Sequence, residues 1–160
     1  MKKIFVSTVT ALLLLIAIAS TTFAAPAEGV RQLLLKGSVQ DTETQQVVFP
    51  TIFVNGTGSG NATQLGLYTI SYHAQLNIPT LSATTSATLV AADGSSLFGE
   101  GTGQGTPTAT PGIVSIVETY TITGGTGRFA GATGNFTVER VINRATLVSS
   151  GTIGGTIVLP

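Results

Sequence analysis

The chain contains no cysteine and a single histidine, His73, and these two scarcities remove several kinds of function. Without cysteine there is no thiol chemistry, no thiolate metal site and no disulfide, so stability must come from sheet closure and core packing. A single histidine disfavours a histidine-based metal site, and no Gly-Xaa-Ser-Xaa-Gly elbow is present to form a hydrolase triad with it. We therefore expect no metal and no cofactor. We expect His73 to face outward or towards a partner subunit.

Charged residues are also scarce, at 9% of the chain, and seven basic residues balance seven acidic ones. A nucleic-acid-binding protein needs a basic surface, so this balance argues against nucleic acid as a partner. The apolar content, 42%, is too high for a disordered chain. The surface must therefore consist largely of Thr, Ser, Asn, Gln and Gly.

The first 24 residues have the organisation of a secretory signal peptide. Lys2 and Lys3 precede an apolar core at residues 11–19, and small residues stand at the −3 and −1 positions of a cleavage site after Ala24. The apolar run is too short to span a membrane comfortably. We predict a secreted or periplasmic protein with no membrane insertion after the signal peptide is removed.

The remaining chain is long enough for one domain, with residues 25–29 as an N-terminal tail and residues 30–160 as the fold. Alternating hydrophobicity without helical periodicity predicts an all-β domain of eight antiparallel strands. The predicted strands cover residues 30–40, 46–54, 65–77, 82–92, 96–103, 113–123, 134–147 and 151–159. Residues 41–44 are predicted as a turn, residues 55–64 as a glycine-rich loop and Asp93-Gly94 as a tight hairpin. Eight strands with short connections indicate an up-and-down β-barrel, with an open sandwich as the alternative.

The most distinctive stretch, residues 122–136, reads ITGGTGRFAGATGNF. A dinucleotide-binding turn would need a helix after the glycines, but the residues that follow alternate like a strand. We interpret the stretch as a tight corner between two strands, in which Arg128 caps carbonyl groups or pairs locally. The corner residues are Gly124, Gly125, Gly127, Arg128, Phe129, Gly131 and Gly134.

The segment GGTGRFAGATG resembles the glycine-rich strand–turn–strand signature of plant dirigent proteins and allene oxide cyclases. It is still more similar to secreted bacterial proteins with an allene oxide cyclase-like barrel. The similarity is strong over residues 121–136 and weaker over residues 56–155. It implies an eight-stranded antiparallel barrel with an apolar interior, often trimeric. It also implies a cyclase, an isomerase or a dirigent-like guide of a reactive intermediate, but it carries no catalytic residue over to this chain.

Alternation within three predicted strands places the aromatic and bulky side chains at even positions, which we assign to the barrel interior. Pairing Ile122 with Phe136 across the corner sets Glu118 beside Arg140. A similar pairing across the proline-containing loop sets Glu100 opposite Glu118 and Phe98 opposite Tyr120. A slip of one residue in either register would turn the whole set outward.

Glu118, Glu100 and Arg140 are the candidate catalytic residues, either as a polar cluster that orients a ligand and transfers a proton or as an ion pair that supports the fold. The candidate ligand-binding residues are Tyr68, Tyr72, Phe98, Tyr120 and Phe136. We favour a secreted barrel that binds a small apolar ligand in its interior. The alternatives are a cyclase, isomerase or dirigent-like guide and a structural or adhesive extracellular protein. An outer-membrane barrel is disfavoured because aromatic girdles are absent.

Overall fold

The structure, a computed structural model, describes residues 29–160 as one closed barrel of eight antiparallel strands. The predicted signal peptide lies outside the described residues. The strands are β1 (Arg31–Val48), β2 (Thr51–Ala62), β3 (Gly66–Asn77), β4 (Ser82–Ala91), β5 (Ser96–Pro107), β6 (Ile113–Gly125), β7 (Thr133–Asn143) and β8 (Val148–Leu159). The predicted all-β barrel is confirmed. Over residues 29–160, no helix has the length and apolar character needed to cross a membrane.

Alternation decides which side chains fill the barrel, and the even-numbered inner face of three strands is confirmed. On β7 the inward side chains are Phe136, Val138, Arg140 and Ile142, all buried, while the odd positions between them are mostly exposed. The same pattern holds on β3 and β6. Outward positions are rich in threonine and serine, residues that suit a pleated, half-solvated surface.

The first hairpin is longer than predicted, and the predicted turn over residues 41–44 is wrong. These residues continue β1, and the chain turns at Phe49-Pro50 instead. Asp41 and Glu43 occupy inward positions of β1 and are buried, so the strand alternates normally but carries charge on its inner face. A charged strand face is normally exposed to solvent. The polar and charged residues 41–44 therefore indicated a turn rather than a strand with a buried face.

The predicted glycine-rich loop over residues 55–64 is also wrong, because most of it is strand β2. Its inward positions alternate as Gly56, Gly58 and Gly60. A Cβ on Gly56 would overlap the ring of Tyr72, and one on Gly60 would lie 2.8 Å from the ring of Tyr68. These glycines therefore provide space on the barrel wall for long side chains from neighbouring strands.

The register between β6 and β7 differs by two residues from the prediction. Tyr120 pairs with Phe136, and Glu118 pairs with Val138 rather than with Arg140. A shift of two residues keeps every side chain on its face, so Glu118 and Arg140 both point inward as predicted. The rings of Tyr120 and Phe136 stack with centroids 4.6 Å apart.

The register between β5 and β6 differs from the prediction by an odd number of residues at Glu100. An odd shift reverses the predicted orientation of the β5 side chains. Glu100 pairs with Thr121 instead of Glu118, three positions away. The predicted inward orientation of Phe98 and Glu100 is therefore wrong: both are exposed, and Leu97 and Gly99 take the inner face. The physical reason is the period of two along a strand, which makes any odd slip exchange the two faces.

The glycine-rich corner after β6 closes one end of the barrel. It contains a 3-10 turn at Gly127–Phe129, and Phe129 is buried in the apolar core with Leu97. Gly127 and Gly131 have φ values of +59° and +72°, a left-handed conformation that glycine adopts without steric cost. The corner thus seals this end, while the hairpins at the opposite end leave the interior open.

Arg128 connects the corner to two neighbouring turns through hydrogen bonds. Its Nη1 donates to Asp93 Oδ2 at 2.6 Å, in the turn between β4 and β5, and its Nη2 donates to the carbonyl oxygen of Gln64 at 2.6 Å, in the turn between β2 and β3. The guanidinium also lies 4.9 Å from the ring centroid of Phe129. Arg128 therefore caps a carbonyl group and pairs locally, as the sequence led us to expect.

Candidate functional site

Arg140 lies in the middle of the barrel and is surrounded by three carboxyl groups. Asp41 and Glu43 reach it from β1, with Nη1 3.1 Å from Asp41 Oδ1 and 3.3 Å from Glu43 Oε2. Glu118 reaches it from β6, with Nε 3.1 Å from Oε2. All four side chains are at least nine-tenths buried. The centre of the barrel is therefore ionic, although most of the interior is apolar.

Glu118 holds the guanidinium through two parallel hydrogen bonds. Nε donates to Oε2 at 3.1 Å and Nη2 donates to Oε1 at 3.2 Å. Arg140 pairs with Ile116 across the strands, so Glu118 contacts it from the adjacent inward position, along the diagonal. Paired bonds between a guanidinium and a carboxylate fix both groups in orientation as well as in distance.

Two hydroxyl groups complete this network behind the carboxyl groups. The Tyr72 hydroxyl lies 2.7 Å from Asp41 Oδ1 and 2.9 Å from Glu43 Oε2, and it accepts a hydrogen bond of 2.8 Å from Arg140 Nη1. The Ser149 hydroxyl donates to Asp41 Oδ2 at 2.6 Å. Throughout residues 29–160, every buried side-chain nitrogen or oxygen has a hydrogen-bond partner. No polar atom of the network is thus left without a partner, which avoids the large desolvation penalty of an unpaired buried group.

Burial and charge together keep Arg140 ionised and Tyr72 neutral. Burial lowers the pKa of Arg140, but the carboxylates of Glu118 and Asp41 outweigh that effect and raise the pKa above its ordinary value. Burial also raises the pKa of the Tyr72 phenol well above its usual range, although the charge of Arg140 lowers it in part. At neutral pH the guanidinium is a permanent cation and the phenol is a permanent hydrogen-bond donor.

A cavity of about 280 Å³ opens at the end of the barrel opposite the corner. Its floor is formed by Glu43, Glu118 and Arg140. Its rim includes residues of the turn between β5 and β6 and Arg144 after β7. Its walls are mainly aliphatic and include Ile52, Val54, Ala74, Leu76, Ile116 and Ile142. The arrangement is an apolar chamber with one polar surface at its base.

The aromatic residues predicted to bind a ligand lie outside the lining of this cavity. Tyr68, Tyr120 and Phe136 are buried in the apolar core, Tyr72 supports the floor from behind, and Phe98 faces solvent. A role for them in ligand binding stays a prediction. The interior is consequently divided into a half filled by aromatic side chains and an open half walled by aliphatic ones.

Of the predicted catalytic residues, the structure brings Glu118 and Arg140 together and separates Glu100 from them. Glu100 lies on the outer surface, in the same cross-strand row as Ser86 and His73. His73 is exposed, and its Nδ1 lies 2.5 Å from Asn55 Oδ1. In the part of the chain from Gly29 onward, no cluster of three or more His, Asp or Glu side chains is placed to hold a metal ion.

Three members of the site were not predicted from the sequence: Asp41, Glu43 and Ser149. The alternation of inward and outward positions along β1 could have revealed the two acids. They continue the odd-numbered face of Leu35 and Val39, with Thr42 between them on the other face. Nothing in the local pattern of β8 singles out Ser149, because its importance comes from its contact with Asp41, 108 residues away.

Together the fold and the site define a closed eight-stranded barrel that holds an apolar cavity above a buried ionic floor. The sequence matches no protein-family model and no curated protein. Among solved structures, the barrel is similar to that of the pterocarpan synthase dirigent protein GePTS1, with a TM-score of 0.61 and 12% sequence identity. The match covers 87% of this chain and 98% of that one. The likeness shows a dirigent-like barrel fold, in agreement with the resemblance noted in the sequence.

Proposed function

We propose that this protein binds a compact, largely apolar small molecule in the open half of its barrel. The observation that carries the proposal is the cavity of about 280 Å³, with aliphatic walls and the side chains of Glu43, Glu118 and Arg140 at its base. Small-molecule sites are typically concave and mostly apolar, with a few polar groups that fix orientation, and they begin at about 300 Å³. A ligand for this cavity must therefore be small.

The rigidity of the floor supports this proposal. Each polar group at the base of the cavity is held by a partner on another strand, so the site is organised before a ligand arrives. Preorganised groups lose little conformational entropy on binding. A purely structural role would be better served by a fully packed interior, and the open half of the barrel argues against it.

A dirigent-like guide of a reactive intermediate is the second candidate. It is supported by the dirigent-like fold and by two carboxyl groups, Glu43 and Glu118, that line an apolar chamber. A carboxyl group in such a place can accept or return a proton when a substrate presents one within hydrogen-bond reach. The predicted signal peptide supports action outside the cytoplasm, and the implied homotrimer stays a prediction.

The binding proposal is tested by filling the cavity. Ala74 on β3 lines the cavity, whereas its neighbour Gln75 faces solvent. We expect Ala74→Phe to abolish the binding of an apolar fluorescent probe, and Gln75→Phe, the matched control, to leave it unchanged. Equal binding by both variants would place the probe elsewhere, and no binding by the wild-type chain would contradict the proposal.

Native mass spectrometry of the protein recovered from its own cells tests the same proposal without a chosen probe. We expect a mass excess that is released by mild denaturation and absent from Ala74→Phe. Identification of the released molecule also separates the two candidates, since a guide of reactive intermediates should release a coupled or cyclised product when supplied with the precursor.

A further inference from the structure

The hydrogen-bond capacity of the cavity floor indicates the head group that a ligand should carry. Arg140 is the main source of donors, and its bonds are directed at the three carboxyl groups and at the hydroxyl groups of Tyr72 and Ser149. The hydroxyl groups of Tyr72 and Ser149 are also directed at carboxyl oxygens. Each donor atom of the floor therefore has at least one partner before any ligand enters.

Acceptors remain in surplus. A carboxylate offers about four lone-pair sites, so three carboxylates offer about twelve, whereas a guanidinium supplies about five N–H donors. The Tyr72 and Ser149 hydroxyls and the Gln45 amide each add one donor, which still leaves fewer donors than acceptor sites. Formally, three carboxylates and one guanidinium also carry a net charge of −2. The floor thus has unused capacity for a donor and for positive charge, and its excess of carboxyl groups disfavours an additional anion.

The unused capacity faces the cavity. Glu43 and Glu118 both line the chamber, whereas Asp41 and the two hydroxyl groups lie behind them. Gln45, which also lines the chamber, donates to Glu43 Oε1 at 2.6 Å and holds that carboxyl group in place. Arg144, the other cation of the lining, is exposed at the rim, where solvent screens its charge.

We propose that the cavity accepts a compact apolar molecule bearing a primary ammonium group, which donates to the carboxylates of Glu43 and Glu118. This inference rests on the proposed function and specifies its ligand class. The cavity lining contains no aromatic residue, so it lacks the cage that binds a quaternary ammonium group, and three N–H donors suit carboxylate acceptors better. A carboxylate ligand would compete with three internal carboxylates for one guanidinium.

Four molecules with the same six-carbon chain test the inference by isothermal titration: hexylamine, hexanol, hexanoate and hexyltrimethylammonium. We expect hexylamine to bind at least about tenfold more tightly than hexanol, because the charged group adds attraction to the acidic floor. We expect hexanoate and the quaternary ammonium compound to bind more weakly than hexylamine. Preference for hexanoate, or equal binding of hexanol and hexylamine, would overturn the inference and leave the pocket itself intact.

Two variants test whether the preference for hexylamine depends on a carboxyl group of the floor. Glu43 receives only one long bond from Arg140, at 3.3 Å, so Glu43→Gln is the mildest change to the floor. We expect it to lower the preference for hexylamine over hexanol by about tenfold, which corresponds to one lost charge-assisted contact. Glu139→Gln is the matched control on the outer face of β7, beside Arg140, and should leave the preference unchanged.

The outcomes also distinguish failure of the inference from failure of the pocket. If the apolar probe binds but none of the four six-carbon molecules does, the ligand class is wrong and the pocket stands. If neither the probe nor the four molecules bind, both proposals fall. An unchanged preference in Glu43→Gln would show that the ammonium group does not contact Glu43 and would overturn the inference as stated.

Discussion

Gly56 on β2 leaves the space that the ring of Tyr72 on β3 occupies. The two residues are directly opposite each other in the antiparallel pair, and a Cβ on Gly56 would overlap the phenol ring. The Tyr72 ring carries the hydroxyl that contacts Asp41, Glu43 and Arg140. The absence of a side chain at Gly56 therefore allows the ring to reach the ionic floor.

Gly56→Ala tests this relationship. We expect a loss of about 1–3 kcal/mol in the free energy of unfolding, because overpacking forces side chains from their rotamers and shifts the backbone. Urea denaturation measures the change. Gly154→Ala is the control, since a Cβ there meets only one atom, the Leu35 carbonyl oxygen at 3.9 Å. Similar losses in the two variants would mean that the Tyr72 ring is not confined by Gly56.

Arg140→Met tests the burial of the ionic cluster. Removal of the guanidinium leaves three carboxyl groups without their cation in the barrel interior. We expect a destabilisation of about 3–5 kcal/mol, the usual cost of breaking a buried ion pair from one side. The exposed Arg144, changed to Met, should alter the free energy of unfolding by less than about 0.5 kcal/mol. An unchanged melting temperature in Arg140→Met would contradict the burial of the cluster.

High pH should unfold the protein through its three tyrosines. Burial, followed by the charge of Asp41, raises the pKa of Tyr68 to about 12 from the ordinary 10.0, and the pKa values of Tyr72 and Tyr120 are also raised. The unfolded chain releases these protons first, so stability is fully present below pH 10 and falls as the pH rises from there towards 12.

Each such tyrosine contributes a loss of about 1.4 kcal/mol per pH unit within that window. Circular dichroism follows unfolding, and phenolate absorbance follows ionisation. We expect both signals to change together, because the phenols ionise when the barrel opens. Tyr68→Phe should reduce the slope of the loss. Ionisation of all three tyrosines while the barrel remains folded would disprove their burial.

Two phenylalanines on opposite sides of the barrel wall test the corrected orientation of β5 and the role of the corner. Phe129 is 1% exposed and plugs the closed end, whereas Phe98 is 37% exposed on the outer surface. Phe129→Ala should cost about 3–5 kcal/mol in the free energy of unfolding. Phe98→Ala should cost about 1–2 kcal/mol, because the Phe98 ring is already partly in solvent and its loss leaves no cavity in the core. Thermal denaturation measures both, and a larger effect at Phe98 would restore its predicted inward position.

Much of the fold could be predicted from the sequence, because alternation is a local property. The inward faces of β3, β6 and β7 follow from the positions of Tyr72, Tyr120 and Phe136, and the structure confirms them. Arg140 and Glu118 could be assigned to the interior on the same basis. The prediction failed where one inner face was itself charged, at Asp41 and Glu43, because a hydrophobic pattern cannot detect charged side chains whose partner lies on a distant strand.

Register was the second property that could not be predicted, because it depends on turn geometry and on packing across strands. A slip of two residues between β6 and β7 left the faces unchanged, whereas an odd slip between β5 and β6 reversed the positions of Phe98 and Glu100. The alternating pattern is weak on β5, where Gly99, Gly101 and Gly103 occupy the inner face and supply no hydrophobic signal.

The sequence by itself determined the class of fold, the faces of its best-patterned strands and the corner at residues 122–136, because alternation and glycine placement act over a few neighbouring residues. Only the tertiary structure decided that one guanidinium from β7 meets carboxyl groups from β1 and β6, and that the barrel is filled at one end and open at the other. These features depend on closure of the barrel, which brings Asp41 and Arg140 together across 99 positions of the chain.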